Sequence, residues 1–112
     1  MEDLGVIVQQ QQDYAASFIE SLTPAELGRL LGMKRETSDH LKNHRFESAS
    51  NCKQAENTFI EEMTIKHGRE LPGLSIVFLT IPVVESELAR KVRDERIASV
   101  LGTNPQNDLW GN

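Results

Sequence analysis

Apolar positions along the chain fall into helical repeats separated by glycine and proline. Tyr14, Phe18 and Leu22 stand four apart, with Ala15 and Ile19 beside them. That stripe predicts a helix of about three turns. Residues 4–8 ahead of it, Leu-Gly-Val-Ile-Val, form a β-branched run, readable as a brief strand or as the lead-in to that helix. Thr23-Pro24-Ala25-Glu26 then has the order of an N-cap, a first-turn proline and a capping-box glutamate. Proline loses nothing there, because the first amides of a helix have no partner in the helix. Leu27, Leu30 and Leu31 supply the buried face of a short helix, and Gly32 is suited to end it in the left-handed conformation. A more polar helix is expected from Lys34 to Arg45, with Met33, Thr37 and Leu41 on its inner side.

Downstream, Ser48, Ser50 and Asn51 mark a break and offer N-caps. Cys52, Ala55, Phe59 and Met63, with Ile60 alongside, predict a helix from about residue 51 to His67, closed by Gly68. Turn residues Leu71-Pro72-Gly73 follow. Residues 74–81 read Leu-Ser-Ile-Val-Phe-Leu-Thr-Ile, a β-branched and aromatic run expected to form a strand that is apolar on both faces. Residues 83–101 are helical in composition, but their apolar positions do not make one stripe. Val84, Leu88 and Val92 share a face, while Ile97, Val100 and Leu101 lie nearly opposite. Either that helix breaks near Asp94 or it meets two surfaces.

These elements give a mainly α fold with a minor β element: four or five helices, one or two short strands and one helical hairpin. Residues 1–102 form a single α-rich domain and residues 103–112 a loosely held C-terminal tail, which is polar except for Leu109 and Trp110. With 112 residues and only 38% apolar composition, one copy buries a modest core. A strand that needs cover on both faces takes as partner either residues 4–8 or the same strand of a second copy; the second option points to a homodimer, with Ile76, Phe78, Leu79, Leu88 and Val92 at its interface. The net charge of −5 excludes a uniformly basic coat. The single cysteine excludes a disulfide framework. No apolar run is long enough to cross a bilayer, and the first residues lack the basic stretch of a signal peptide, so a cytoplasmic location without membrane contact is expected.

One segment carries a functional suggestion. Thr-Pro-Ala-Glu-Leu-Gly-Arg-Leu-Leu-Gly-Met-Lys-Arg-Glu-Thr, from Thr23 to Thr37, resembles the helix-turn-helix unit of small bacterial and phage regulators, and the resemblance extends over residues 23–45. In that family a small residue lets the two helices approach, and Gly28 holds its place. Gly32 would make the turn, and Met33 the apolar exit. The second helix lies in the major groove. The resemblance implies DNA contacts from Lys34, Arg35, Thr37, His40, Lys42, Asn43 and Arg45. Arginine and asparagine are the types that pair bidentately with guanine and adenine. Lys34 to Arg45 carries four bases against two acids, a local excess of positive charge. Ser38 stands where the family has an apolar residue, and Glu36 and Asp39 would face phosphate. The bland alternative is a capped helical hairpin with a solvated outer face.

Other chemistry is sparse. His40 and His44 lie four apart but have no fixed third ligand, so no metal site is assigned. Cys52 lies on an apolar helix face and reads as a small buried hydrophobe. Glu61-Glu62 and the Glu85, Glu87 pair diverge around their helices and cannot share one reacting centre. No phosphate-binding loop, nucleophile elbow or zinc-protease helix is present. The expectation is a non-enzymatic protein without cofactor. It is read as a homodimeric DNA-binding regulator of phage or plasmid type. The alternative is an adaptor or inhibitor that binds a protein partner through its apolar strand and C-terminal helix.

Overall fold

The computed structural model describes residues 3–101. Four α-helices and one 3-10 helix follow in order: α1 (Leu4–Ser21), α2 (Pro24–Lys42), α3 (Phe46–His67), the 3-10 helix (Gly73–Phe78) and α4 (Ile81–Leu101). Among the described residues there is no strand, so the expected minor β element is not formed. The expected C-terminal tail, residues 103–112, lies outside the described residues.

Local chemistry sets most of the boundaries. Asp3 caps α1 by accepting from the Gly5 amide at 3.3 Å. Residues 4–8 are therefore the first turns of a helix rather than a strand. The helix ends where Thr23, the residue before a proline, is held extended at ψ 162. The same Thr23 opens α2 with the complete capping box. The Glu26 amide donates to its hydroxyl at 3.1 Å, and its own amide donates to Glu26 Oε1 at 2.9 Å. α3 begins at Phe46, ahead of the start expected near residue 51, so Ser48 and Ser50 lie inside the helix rather than capping it. The chain turns early: His44 takes φ 58, and Arg45 is followed directly by helix with no side-chain cap. Gly68 ends α3 at φ 65, as expected of a left-handed C-cap.

Residues 74–81 form no strand for a reason the local composition does not reveal. A lone strand with no neighbour leaves its amides and carbonyls unpaired. Here they pair locally instead: the Ser75 amide donates to the Pro72 carbonyl at 2.8 Å, and Leu79 to Ile76 at 3.0 Å. The 3-10 period of three then sorts the side chains. Ser75 is buried and Phe78 half-buried, while Leu74 and Val77 point out at 70% and 67% exposure. Thr80 starts α4, its carbonyl accepting from the Val84 amide at 3.0 Å. α4 does not break near Asp94.

The core joins Ala15, Phe18, Ile19 and Leu22 of the first helix and its end to Leu27, Leu30 and Leu31 of α2 and Phe59, Ile60 and Met63 of α3. Leu79 and Val84 close it. α2 is central, lying antiparallel to α3 on one side and against α4 on the other. α1 rests on the 3-10 helix and the start of α4. Lys91 Nζ donates to the Glu20 carbonyl at 2.5 Å and also to that of Leu22, tying α4 to the end of α1. No helix among the described residues is long and apolar enough to cross a membrane.

Candidate functional site

The residues singled out in the sequence lie on the second half of α2 and the corner that leads into α3. The turn expected at Gly32 is absent, and α2 runs unbroken through it. Neither Gly28 nor Gly32 has a positive φ, and a Cβ built at either meets nothing within 4 Å. Gly28 therefore does not serve a close helix approach. The leucine stripe carries on past Gly32: Lys34 falls four after Leu30 and seven after Leu27, on the face turned to α3.

That register decides the fate of Lys34. Its side chain is only 9% exposed and its Nζ lies 2.7 Å from Oε2 of Glu56, itself 1% exposed. Lys53 approaches the same oxygen at 3.3 Å. Lys34 is thus an internal tie between α2 and α3, not a side chain presented outward as expected. Arg35 is exposed, and its guanidinium pairs with Glu85 of α4. The Thr37 hydroxyl donates to the Met33 carbonyl at 3.0 Å, within the helix. Asn43 forms the C-cap, its Nδ2 donating to the Asp39 carbonyl at 2.9 Å. Arg45 reaches back, Nη2 to Asp39 Oδ2 at 3.0 Å and Nε to His40 Nδ1 at 2.9 Å. Only Lys42, of the seven residues, is an exposed cation without an ion pair among the described residues. The local excess of positive charge is largely spent on holding three helices together.

The five residues expected at a dimer interface are mostly internal. Leu79 is 2% exposed and part of the chain's own core, while Phe78 and Leu88 lie against that core and Ile76 is half-buried. Val92 alone is exposed, at 40%. Uncovered apolar side chains lie elsewhere, at Leu4 and Val6 of α1, Phe46 and Ile65 of α3, Leu74 and Val77 of the 3-10 helix, and on α4. On α4 only Val84 is buried, and Ile97, Val100 and Leu101 stand open at 48%, 68% and 74%. Their opposite phase was visible in the sequence, but nothing there showed which of the two faces the core would take.

A second grouping escaped the sequence. Glu36 and His40, one turn apart on α2, meet Cys52 of α3, and one ligand atom from each lies within 4.8 Å of the others. The i, i+4 spacing was readable, whereas the approach of Cys52 depends on how the two helices cross. His44, the partner first considered for His40, leaves the helix and meets Phe46 edge-on at 5.8 Å.

At the other end of α2 the capping glutamate is a charge hub. Lys66 donates to its Oε2 at 2.6 Å, and His67 Nε2 lies 2.9 Å from its Oε1. Burial pushes the Glu26 carboxyl up, but the hydrogen bonds from Lys66, the Thr23 amide and His67, with the charge of His67, outweigh it and hold it at about 2. This joins the start of α2 to the end of α3. No family model, curated protein or solved structure matches this chain.

Proposed function

We propose that this chain is a non-enzymatic helical interaction protein that acts as a homodimer, using the outer face of α4. The observation that carries the reading is the second apolar face of α4, where Ile97, Val100 and Leu101 are exposed among the described residues. Fully burying one such side chain is worth about 1.5–3 kcal/mol. Scaled by their exposure, the three contribute roughly 4 kcal/mol from one copy. A single set is small against the cost of association, about 4–15 kcal/mol. A two-fold axis uses every residue twice and brings the gain to roughly 8 kcal/mol, which offsets the lower end of that cost and supports a weak, self-complementary dimer. The test is sedimentation equilibrium across a wide concentration range. The parent chain is expected to shift toward twice the chain mass as its concentration rises toward about millimolar, and Ile97→Asp with Leu101→Asp to stay at the monomer mass. A parent that stays monomeric throughout overturns the reading.

Duplex DNA remains a second reading, supported by the exposure of Lys42 and the partial exposure of Arg35 and Arg45, 58% and 46%. It requires these arginines to exchange Glu85 and Asp39 for phosphate. Labelled-duplex anisotropy separates the two readings. Binding that weakens with salt, with a log–log slope of about −0.9 per phosphate contacted, supports DNA recognition. Lys42→Glu should then reduce both affinity and slope.

A further inference from the structure

We propose that Glu36, His40 and Cys52 form a binding site for a borderline divalent metal ion of the zinc type. Two ligands come from one face of α2, since residues four apart on a helix lie one above the other. The third comes from α3, so the site bridges two elements rather than lying along one. The set of a carboxylate oxygen, an imidazole nitrogen and a thiolate sulfur matches the mixed ligands that zinc accepts. Hard cations such as magnesium and calcium prefer oxygen alone and are disfavoured by the sulfur.

The geometry is close to what coordination needs. With metal–ligand bonds of about 2.0–2.3 Å, tetrahedral ligands stand roughly 3.5 Å apart. The three atoms already lie within 4.8 Å of one another. The remaining contraction of roughly 1 Å is within reach of side-chain torsions and leaves the helices in place. His40 and Cys52 are half-buried and Glu36 is exposed, which leaves an entry path on the Glu36 side. Three protein ligands leave the fourth position to water.

Arg45 is the competitor at this site. Its Nε donates to His40 Nδ1, so the neutral ring carries its proton on Nε2. Coordination through Nε2 moves that proton to Nδ1, where it faces the guanidinium. Coordination through Nδ1 displaces the guanidinium directly. In either case Arg45 turns away from His40 and keeps Asp39, its other partner. Cys52 binds as thiolate, and its proton passes to solvent.

The test uses the full reduced chain and the metals alone. Cobalt(II) is titrated first, as a spectroscopic stand-in. One equivalent is expected to give a thiolate charge-transfer band in the near ultraviolet and the intense visible bands of four-coordinate cobalt, and zinc should bleach both. Cys52→Ser should lose the near-ultraviolet band. His40→Ala and Glu36→Gln should weaken zinc by more than ~100-fold, beyond what loss of an outer-shell contact costs. Circular dichroism checks that each variant remains helical, and Glu36→Gln, exposed on its helix, keeps the test valid if Cys52→Ser does not fold. Arg45→Ala, which removes the competitor, should bind cobalt at least as tightly as the parent. Absence of a sulfur-derived band in the parent, an unchanged zinc affinity in folded Glu36→Gln, or weaker cobalt binding by Arg45→Ala overturns the proposal.

Discussion

Lys34 and Glu56 show how a single register position can redirect a charged side chain. Lysine there continues a leucine stripe, so it enters the α2–α3 interface and needs a counter-charge, which Glu56 supplies at 2.7 Å. Removing one partner of a buried pair leaves the other charge stranded, and the usual cost is about 3–5 kcal/mol. Lys34→Ala is expected near the lower end, because Lys53 remains 3.3 Å from Glu56. Lys34→Met with Glu56→Leu should be close to the parent in stability, since an apolar pair of similar volume needs no charge compensation. Urea denaturation checks both, and equal losses in the single and double variants would contradict the buried-pair account. Glu26 makes a pH prediction of definite sign. Its carboxyl is held at about 2 in the fold against 4.5 ordinarily, so the folded state favours the ionised form. Its contribution is complete above about pH 4.5 and is lost as the pH falls toward 2. Glu26→Gln should therefore be less stable than the parent at neutral pH, and the gap in melting temperature should close across that window.

At the scale of elements, glycine separates what the sequence discloses from what it hides. Gly68 ends a helix and Gly32 does not, although both follow apolar helical stretches. At φ 65 an alanine is strained, so Gly68→Ala should destabilise by about 1 kcal/mol. At Gly32 the backbone is helical and the space beside it is open, so Gly32→Ala should stabilise by about 0.5–1 kcal/mol. A loss on Gly32→Ala would restore the bend expected there. Thermal melts of the two variants decide it. The capping box at Thr23, the stripe of Phe18 and Leu22, the repeat of Phe59, Ile60 and Met63 and the end at Gly68 were all legible, because each depends on neighbours within one or two turns. The state of residues 74–81 was not. Their β-branched composition favours a strand, but a strand needs a partner, and none exists among the described residues, so local 3-10 hydrogen bonds prevail. The candidate site was legible to the same extent. Glu36 and His40 share a face by spacing alone, while Cys52 and the burial of Lys34 are set by how α2 and α3 meet.

For the whole molecule the question is which apolar surface belongs to the single chain and which awaits another. The Cα radius of gyration is 17.9 Å, well above the ~13 Å of a compact domain of this length. Apolar residues at both ends of the described chain are open: α1 begins with Leu4 at 72% exposure and α4 ends with Leu101 at 74%. Leu79 and Ile97 probe the two kinds of surface. Leu79 is 2% exposed in the core cluster that also holds Phe18 and Leu22, so Leu79→Ala removes buried volume and should cost about 2–5 kcal/mol. It should lower the melting temperature even at high dilution and leave the association constant of the folded protein unchanged. Ile97 is 48% exposed on the outer face of α4, where substitutions in a monomer usually change stability by less than about 0.5 kcal/mol. Ile97→Asp should therefore melt like the parent at nanomolar concentration, where both are monomers. At high concentration only the parent should gain stability, because association stabilises the folded state by mass action. Melting curves from nanomolar to about millimolar concentration, set beside sedimentation masses, separate the two effects. A concentration-independent melting temperature for the parent would mean that the open face of α4 is not closed by a second copy.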